Sequence, residues 1–535
     1  MKKRRIFELL IICIGAMVAV AFASAQAPSA AFSGMPTTGP SPLTVSFTDL
    51  SLGSPSSWVW FFGDENFTAP WTQMTVSPGW SARMGQSSVV MPDGSIILMG
   101  GYSGGYNAGA GAVTSNSAPW MQMVASPWLS GGYQQQISSE ILNNYIVLPG
   151  NYGGYNNDIW RSKDDGATWT QVTVSPGWSA RAGQSSVVMP DGSIVLMGGY
   201  SSSGGYQNDV WRSADDGVTW TQMTISPGWS ARTGQSSVAM PDGSIILMGG
   251  WSGLVHADVW RSTDDGATWN QVTVGPGWSA RAGQSSVVMP DGSIVLMGGG
   301  GQYGGYQNDV WRSADDGATW TQVTVGPGWS ARAGQSSVVM PDGSIVLMGG
   351  YGRNGGYDND VWRSTDNGAT WKQVTVSPGW SGRTGESSLV MLDGSIILMG
   401  GWNGQENHDV WHLMPAGSSE QNPLHTYTTP GLYQVTLEVT NANGSNTKIL
   451  NNYITVSAPN GIGKTQPVSN GGSSGNWSAP ASAQPVAAPS MAPAAASTVF
   501  STTTIPVTTS APLPVAVSFI AFVIAALAIV STQWK

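Results

Sequence analysis

Cysteine and charge are both scarce in this chain. Cys13 is the single cysteine of 535 residues and lies in an apolar N-terminal stretch, so the folded body has no disulfide, thiolate metal site or cysteine nucleophile. Only 10% of residues are charged, and Asp+Glu 31 against Lys+Arg 21 gives a formal net charge of −10. Nucleic-acid binding needs the opposite balance and is excluded. Histidine is equally rare. His256 and His425 stand apart, while His408 and His412 fall in HDVWH, a strand-like run where four residues span about 13 Å, too far for a shared metal. Asp-rich turns such as SADDGATW lack the ligand spacing of calcium loops. No metal and no cofactor is expected.

In their place stand Gly 71, Pro 32 and Trp 26, a composition of short strands and tight turns. The fold class read from it is all-β. Residues 1–25 begin with four basic residues, continue through an apolar stretch and end in Ala23-Ser24-Ala25, the pattern of an export signal, with an uncleaved anchor as the alternative. Removing that net +3 leaves a mature charge of −13. Near the other end, residues 513–531 form an uncharged apolar run long enough to span a bilayer as one helix, followed by Lys535. Residues 458–512, rich in Pro, Ala, Ser and Thr, read as a stalk. The expected location is the cell membrane, single-pass, with an extracellular body. Asn66, Asn443 and Asn476 match the glycosylation acceptor pattern.

The tryptophans reveal a repeat. PGWSAR and its variants place Trp80, Trp128, Trp178, Trp229, Trp278, Trp329 and Trp380 at spacings of 48, 50, 51, 49, 51 and 51, Trp128 being degenerate. Such a period is that of a propeller blade. Each unit contains QSSVVM and SIVLMGG around a PDG turn, then NDVWRS and TWTQMTI around an ADDG turn, giving two hairpins and four strands. The early PWTQMTV supplies the fourth strand that the last unit lacks. Counting Trp128 as a blade predicts seven blades over residues 67–417, with six or eight as alternatives should the register of such similar units slip, the ring closing between residues about 70 and 415.

The paired glycines after SIVLM, with NDVW and a later tryptophan, resemble kelch repeats. The turn S-x-D-x-G-x-T-W resembles the Asp-box of sialidase-type propellers and carries Asp164, Asp215, Asp264, Asp315 and Asp366. That resemblance implies a structural turn, which agrees with the tendency of Asp to cap backbone N–H groups.

Flanking the repeats are LTVSFTDLS and SWVWFFGDE, within residues 28–66, and EQNPLHTYTTPGLYQVTLEVTNANGSN, within 418–457. Together they resemble the two halves of one PKD domain, an Ig-like sandwich. The propeller is therefore expected to be inserted into a loop of the sandwich. As a whole the chain resembles PKD-containing surface proteins of archaea, which implies an adhesion or envelope role.

Catalysis on a ring requires broken symmetry. The arginines of GWSxR and VWRS recur in every well-formed unit, a sialidase-like cluster is not visible, and a galactose-oxidase-like site would need a cysteine. No catalytic residue is assigned. Aromatics set among Gly, Ser, Asn and Gln in the loops after the paired glycines suit recognition of a glycan or a cell-surface protein: Tyr102, Tyr152, Tyr155, Tyr206, Trp251, Tyr303, Tyr306, Tyr351, Tyr357 and Trp402. The most divergent repeats, around VTSNSAPW and Glu140, are where a unique site is expected. Three readings follow in order: a binding module, a structural envelope component without a ligand, and a glycan-acting enzyme.

Overall fold

The structure is a computed structural model and describes residues 27–104, 141–142, 145–146 and 154–459, apart from 353–354, 376–377, 416 and 442–443. The leader expected at 1–25, Trp128, Glu140, Tyr152, Asn443, Asn476, all but the first two residues of the stalk expected at 458–512 and the 513–531 run lie outside them. Among the described residues no helix is long and apolar enough to cross a membrane.

Each repeat folds into a four-stranded antiparallel sheet for reasons visible in its sequence. In the unit after Trp178, Ser185–Val188 pairs with Ile194–Met197 across the Pro190-Asp191-Gly192 turn. Gly192 takes φ +81, which the turn requires and which glycine supplies at no steric cost. Val210–Ser213 and Thr221–Thr224 complete the sheet. Ile194–Met197 is buried on both faces, between the neighbouring sheets, so all four residues are apolar.

Six such sheets make up the described propeller. Their inner strands, Ser87–Val90, Ser185–Val188, Ser236–Ala239, Ser285–Val288, Ser336–Val339 and Ser387–Val390, neighbour one another in a closed ring. A hoop of backbone hydrogen bonds repeats the closure. Gly183, Gly234, Gly283, Gly334 and Gly385 each donate N–H to the hoop glycine one blade earlier, and Gly85 donates to Gly385, all at 2.8–2.9 Å. The blades are numbered one to six from Ser87–Val90.

The count corrects the seven blades expected. Ile159–Ser162 pairs directly with Ile96–Met99, so residues 105–153, which carry Trp128, fall between the second and third strands of blade one. SPWLSGGYQQQ lacks the arginine of GWSxR and the Gly-Gln-Ser, or Gly-Glu-Ser in blade six, that leads into each inner strand. Blade one therefore owns the Asp-box Ser162–Trp169, and blade six is the one without. Its outer strand is Thr72–Thr75, paired to Val410–Leu413, and Trp71 takes the place of the Asp-box tryptophan against Trp380 at 6.1 Å.

The flanking halves form one sandwich of two sheets. Leu43–Asp49 pairs with Phe32–Met35 on one side and Leu424–Tyr427 on the other, while Ser57–Phe61 pairs with Gly431–Asn441. Leu43, Val45 and Phe47 point inward and Thr44, Ser46 and Thr48 outward, and the core closes around Trp60, Phe62, Tyr427, Leu437 and Ile454. Neither half has a complete sheet alone.

The sandwich rests on the PDG side of the propeller. Val59 and Phe61 lie against Gly394, the Gln434 amide donates to the Asp342 carbonyl at 2.7 Å, and Glu438 and Thr447 reach the channel mouth beside Pro290, Pro341 and Leu392. Strand polarity sends the loops after the paired glycines, and the PGWSAR loops, to the opposite face.

Candidate functional site: an aromatic rim

The repeated arginines are framework. Arg83, Arg181, Arg232, Arg281, Arg332 and Arg383 are buried, and each grips one aspartate with both terminal nitrogens: Asp158, Asp209, Asp258, Asp309, Asp360 and Asp409. Arg181 also donates to the Gly198 carbonyl at 2.9 Å, and the Trp211 indole donates to Asp209 at 2.7 Å. Burial works against ionisation of Asp209, but the Arg181 guanidinium outweighs it and holds the carboxyl below its usual range. With every guanidinium engaged, none of these arginines is turned toward a ligand. The PGW tryptophans are equally internal, Trp178 meeting Trp220 edge to face at 6.1 Å.

The Asp-box aspartates lie on the sandwich side and tie down their own turns. Asp264 accepts the Thr268 N–H at 2.8 Å and its hydroxyl at 2.6 Å, while Ser262 Oγ accepts the Gly266 N–H at 2.9 Å. Asp164, Asp215, Asp315 and Asp366 repeat the geometry. Asn66 is exposed and accepts the Thr68 N–H at 2.9 Å. The central channel, about 370 Å³, is lined by serine hydroxyls and aliphatic groups and carries no charge.

The loops on the face away from the sandwich are different. Each second strand ends in two glycines with positive φ, and at Gly100 a Cβ would sit 2.7 Å from the Gln184 amide nitrogen. The reversal delivers the next residue to the rim: Tyr102, Tyr200, Trp251, Gly300, Tyr351 and Trp402. Tyr102, Tyr155, Tyr200, Tyr206 and Trp251 follow one another with ring centroids 5.0, 5.7, 5.1 and 6.0 Å apart across three blades. Within blade four the series resumes with Tyr306, which leads to Tyr351 and Tyr357 at 5.9 and 5.2 Å, and the Trp402 indole donates to the Tyr357 hydroxyl at 2.7 Å. Burial, then the neighbouring Tyr200 and Tyr102, push the Tyr155 phenol up.

Nine of the ten aromatics read from the sequence are thus placed on one rim, Tyr303 among them and 97% exposed; Tyr152 lies outside the described residues. Tyr200 stands with them on the rim, following paired glycines as Tyr102 and Trp251 do, though it is not among those ten. Those ten also miss the break in symmetry. Within the described residues that break is Gly300 in blade four, where a cavity of about 320 Å³ opens beside Trp251, Tyr303 and Tyr306. The visible signal was GGGGQYGGYQND in place of GGYSSSGGYQND.

A family model described as the KLHDC2/KLHL20/DRC7 Kelch-repeats domain matches residues 252–423, and one described as PKD domain matches residues 416–456. The chain combines kelch repeats with a PKD domain. The kelch match begins in blade three, and the PKD match covers the second half of the sandwich, whose first half the strand pairing supplies from before the propeller. No curated protein matches the chain. A solved structure described as "Structure of YjhT" is similar over 69% of this chain and 97% of that one, at 14% identity and a TM-score of 0.42. A likeness of that order says nothing of activity. The kelch-repeat and PKD matches point to a recognition or protein-interaction module.

Proposed function

We propose that this chain is an exported surface protein, tethered by its C-terminal apolar segment, that presents the aromatic rim of its propeller to glycans or to proteins of the cell surface. The observation that carries the reading is the rim itself: half-buried aromatic rings in contact across blades, interleaved with polar loop residues, on the face the sandwich leaves open. Rigid aromatic plates beside adaptable hydrogen-bonding groups bind with little loss of conformational entropy. The export-type leader and the 458–512 stalk support display outside the cell. No enzymatic role is proposed, since the arginines and Asp-box aspartates are consumed internally.

The test is capture of ligands from a glycan microarray and from cell-surface extracts by the full-length chain. Tyr206→Ala and Tyr306→Ala are expected to weaken capture about tenfold each without lowering the melting temperature appreciably. Capture that ignores both substitutions counts against the rim, and no capture in either format favours a structural envelope component.

A further inference from the structure

We infer that the gap at Gly300 is a subsite for one uncharged pyranose ring, an inference that rests on the reading of the rim as a recognition surface. Five blades place an aromatic ring directly after the paired glycines; blade four places none. The cavity of about 320 Å³ left there is at the small end of ligand pockets, a size for a single ring rather than a peptide segment.

Its walls match the two surfaces of a sugar. Trp251, 43% exposed, and Tyr306 offer flat apolar faces to the C–H face of a pyranose. Gln302 Oε1 accepts the Val255 N–H at 3.1 Å, which leaves the amide nitrogen as a donor for a hydroxyl. Tyr303 takes φ +61, a left-handed conformation that a bulky side chain seldom adopts. It is 97% exposed, so its ring and hydroxyl make little internal packing and are free to meet a ligand.

The lining carries no Asp, Glu, Lys or Arg. His256, next to Val255, is bonded to Ser252 Oγ at 2.7 Å, and burial and the Arg232 guanidinium push its imidazole below its usual value. A carboxylated sugar would lose hydration there and gain no counter-charge.

The experiment uses the full-length chain on a microarray of neutral oligosaccharides built from glucose, galactose, mannose and N-acetylglucosamine, with sialylated counterparts beside them. Neutral glycans are expected to bind, and sialylated ones no better. Gly300→Tyr, which gives blade four the residue type of its neighbours, is expected to lower affinity at least about tenfold, and Tyr303→Ala similarly. Gly300 is not in the left-handed region, and a Cβ there meets nothing nearer than 3.6 Å, so the variant can fold. Preference for sialylated glycans, or glycan capture that survives Gly300→Tyr and is lost in Tyr206→Ala, overturns the subsite and leaves the rim intact. Capture of proteins alone, lost in Tyr206→Ala, also overturns the subsite. Absence of any rim-dependent capture sinks both.

Discussion

Five of six equivalent buried positions hold glutamine, and the sixth holds Glu386. Gln86, Gln184, Gln235, Gln284 and Gln335 each donate their amide to a methionine carbonyl of the preceding blade, as Gln335 does to Met297 at 2.9 Å. A carboxylate cannot donate, and neither oxygen of Glu386 has a well-formed hydrogen bond. Burial pushes its carboxyl up to about 8, against the smaller pull of its own and the Ser336 N–H and of Arg383. Between the ordinary value of 4.5 and about 8 the folded chain binds more protons than the unfolded one, so stability falls as pH rises through that window. Glu65, pushed up to about 7 by burial and Asp342, acts with the same sign. Glu386→Gln should therefore match wild type near pH 4 and exceed it by about 1–3 kcal/mol at pH 8 in urea unfolding. Equal midpoints at pH 8 would show that the charge is accommodated. TGESS against AGQSS was readable in the sequence; its meaning was not, because the glutamine's partner lies in another blade.

At the scale of the element, the Asp-box turn was legible because the hydrogen bonds of its aspartate and serine are all local. Asp264, Thr268 and Ser262 lie within seven residues of chain, and the aspartate's role follows from a side chain that outcompetes water for nearby N–H groups. Asp264→Ala should cost about 1 kcal/mol, visible as a lowered urea midpoint, with no change in ligand capture. The Thr268 and Ser262 hydrogen bonds outweigh burial and depress the Asp264 carboxyl, so its contribution is present above 3.8 and fades as pH falls below it. A loss of capture in this variant would mean that the turn touches ligand. The blade count was less legible because it depends on contacts between elements. Trp128 kept the period without the arginine clamp or the hoop glycine, and periodicity alone cannot tell a blade from an excursion within one.

For the whole molecule, the decisive feature is that the ring is threaded between the two halves of the sandwich. Leu43–Asp49 finds Leu424–Tyr427 only after the propeller has been made, and ten residues separate Phe61 of the sandwich from Thr72, where the strand that closes blade six begins. Unfolding the sandwich releases both ends of the ring, and blade six is then held by one unanchored outer strand. The split PKD pattern made this threading readable in the sequence, since its first half had no other partner. Trp60 is the place to test it: it is fully buried in the sandwich core and donates to the Glu420 carbonyl at 2.9 Å. Trp60→Ala should cost about 3–5 kcal/mol. If the two parts are one cooperative unit, calorimetry shows a single transition at a lower temperature. The fluorescence of the propeller tryptophans of blades two to four, which share no hydrophobic cluster with the sandwich, moves with it. Two transitions, of which the upper stays at its wild-type temperature, would mean that the ring closes without its mount and that the sandwich contributes position but not stability.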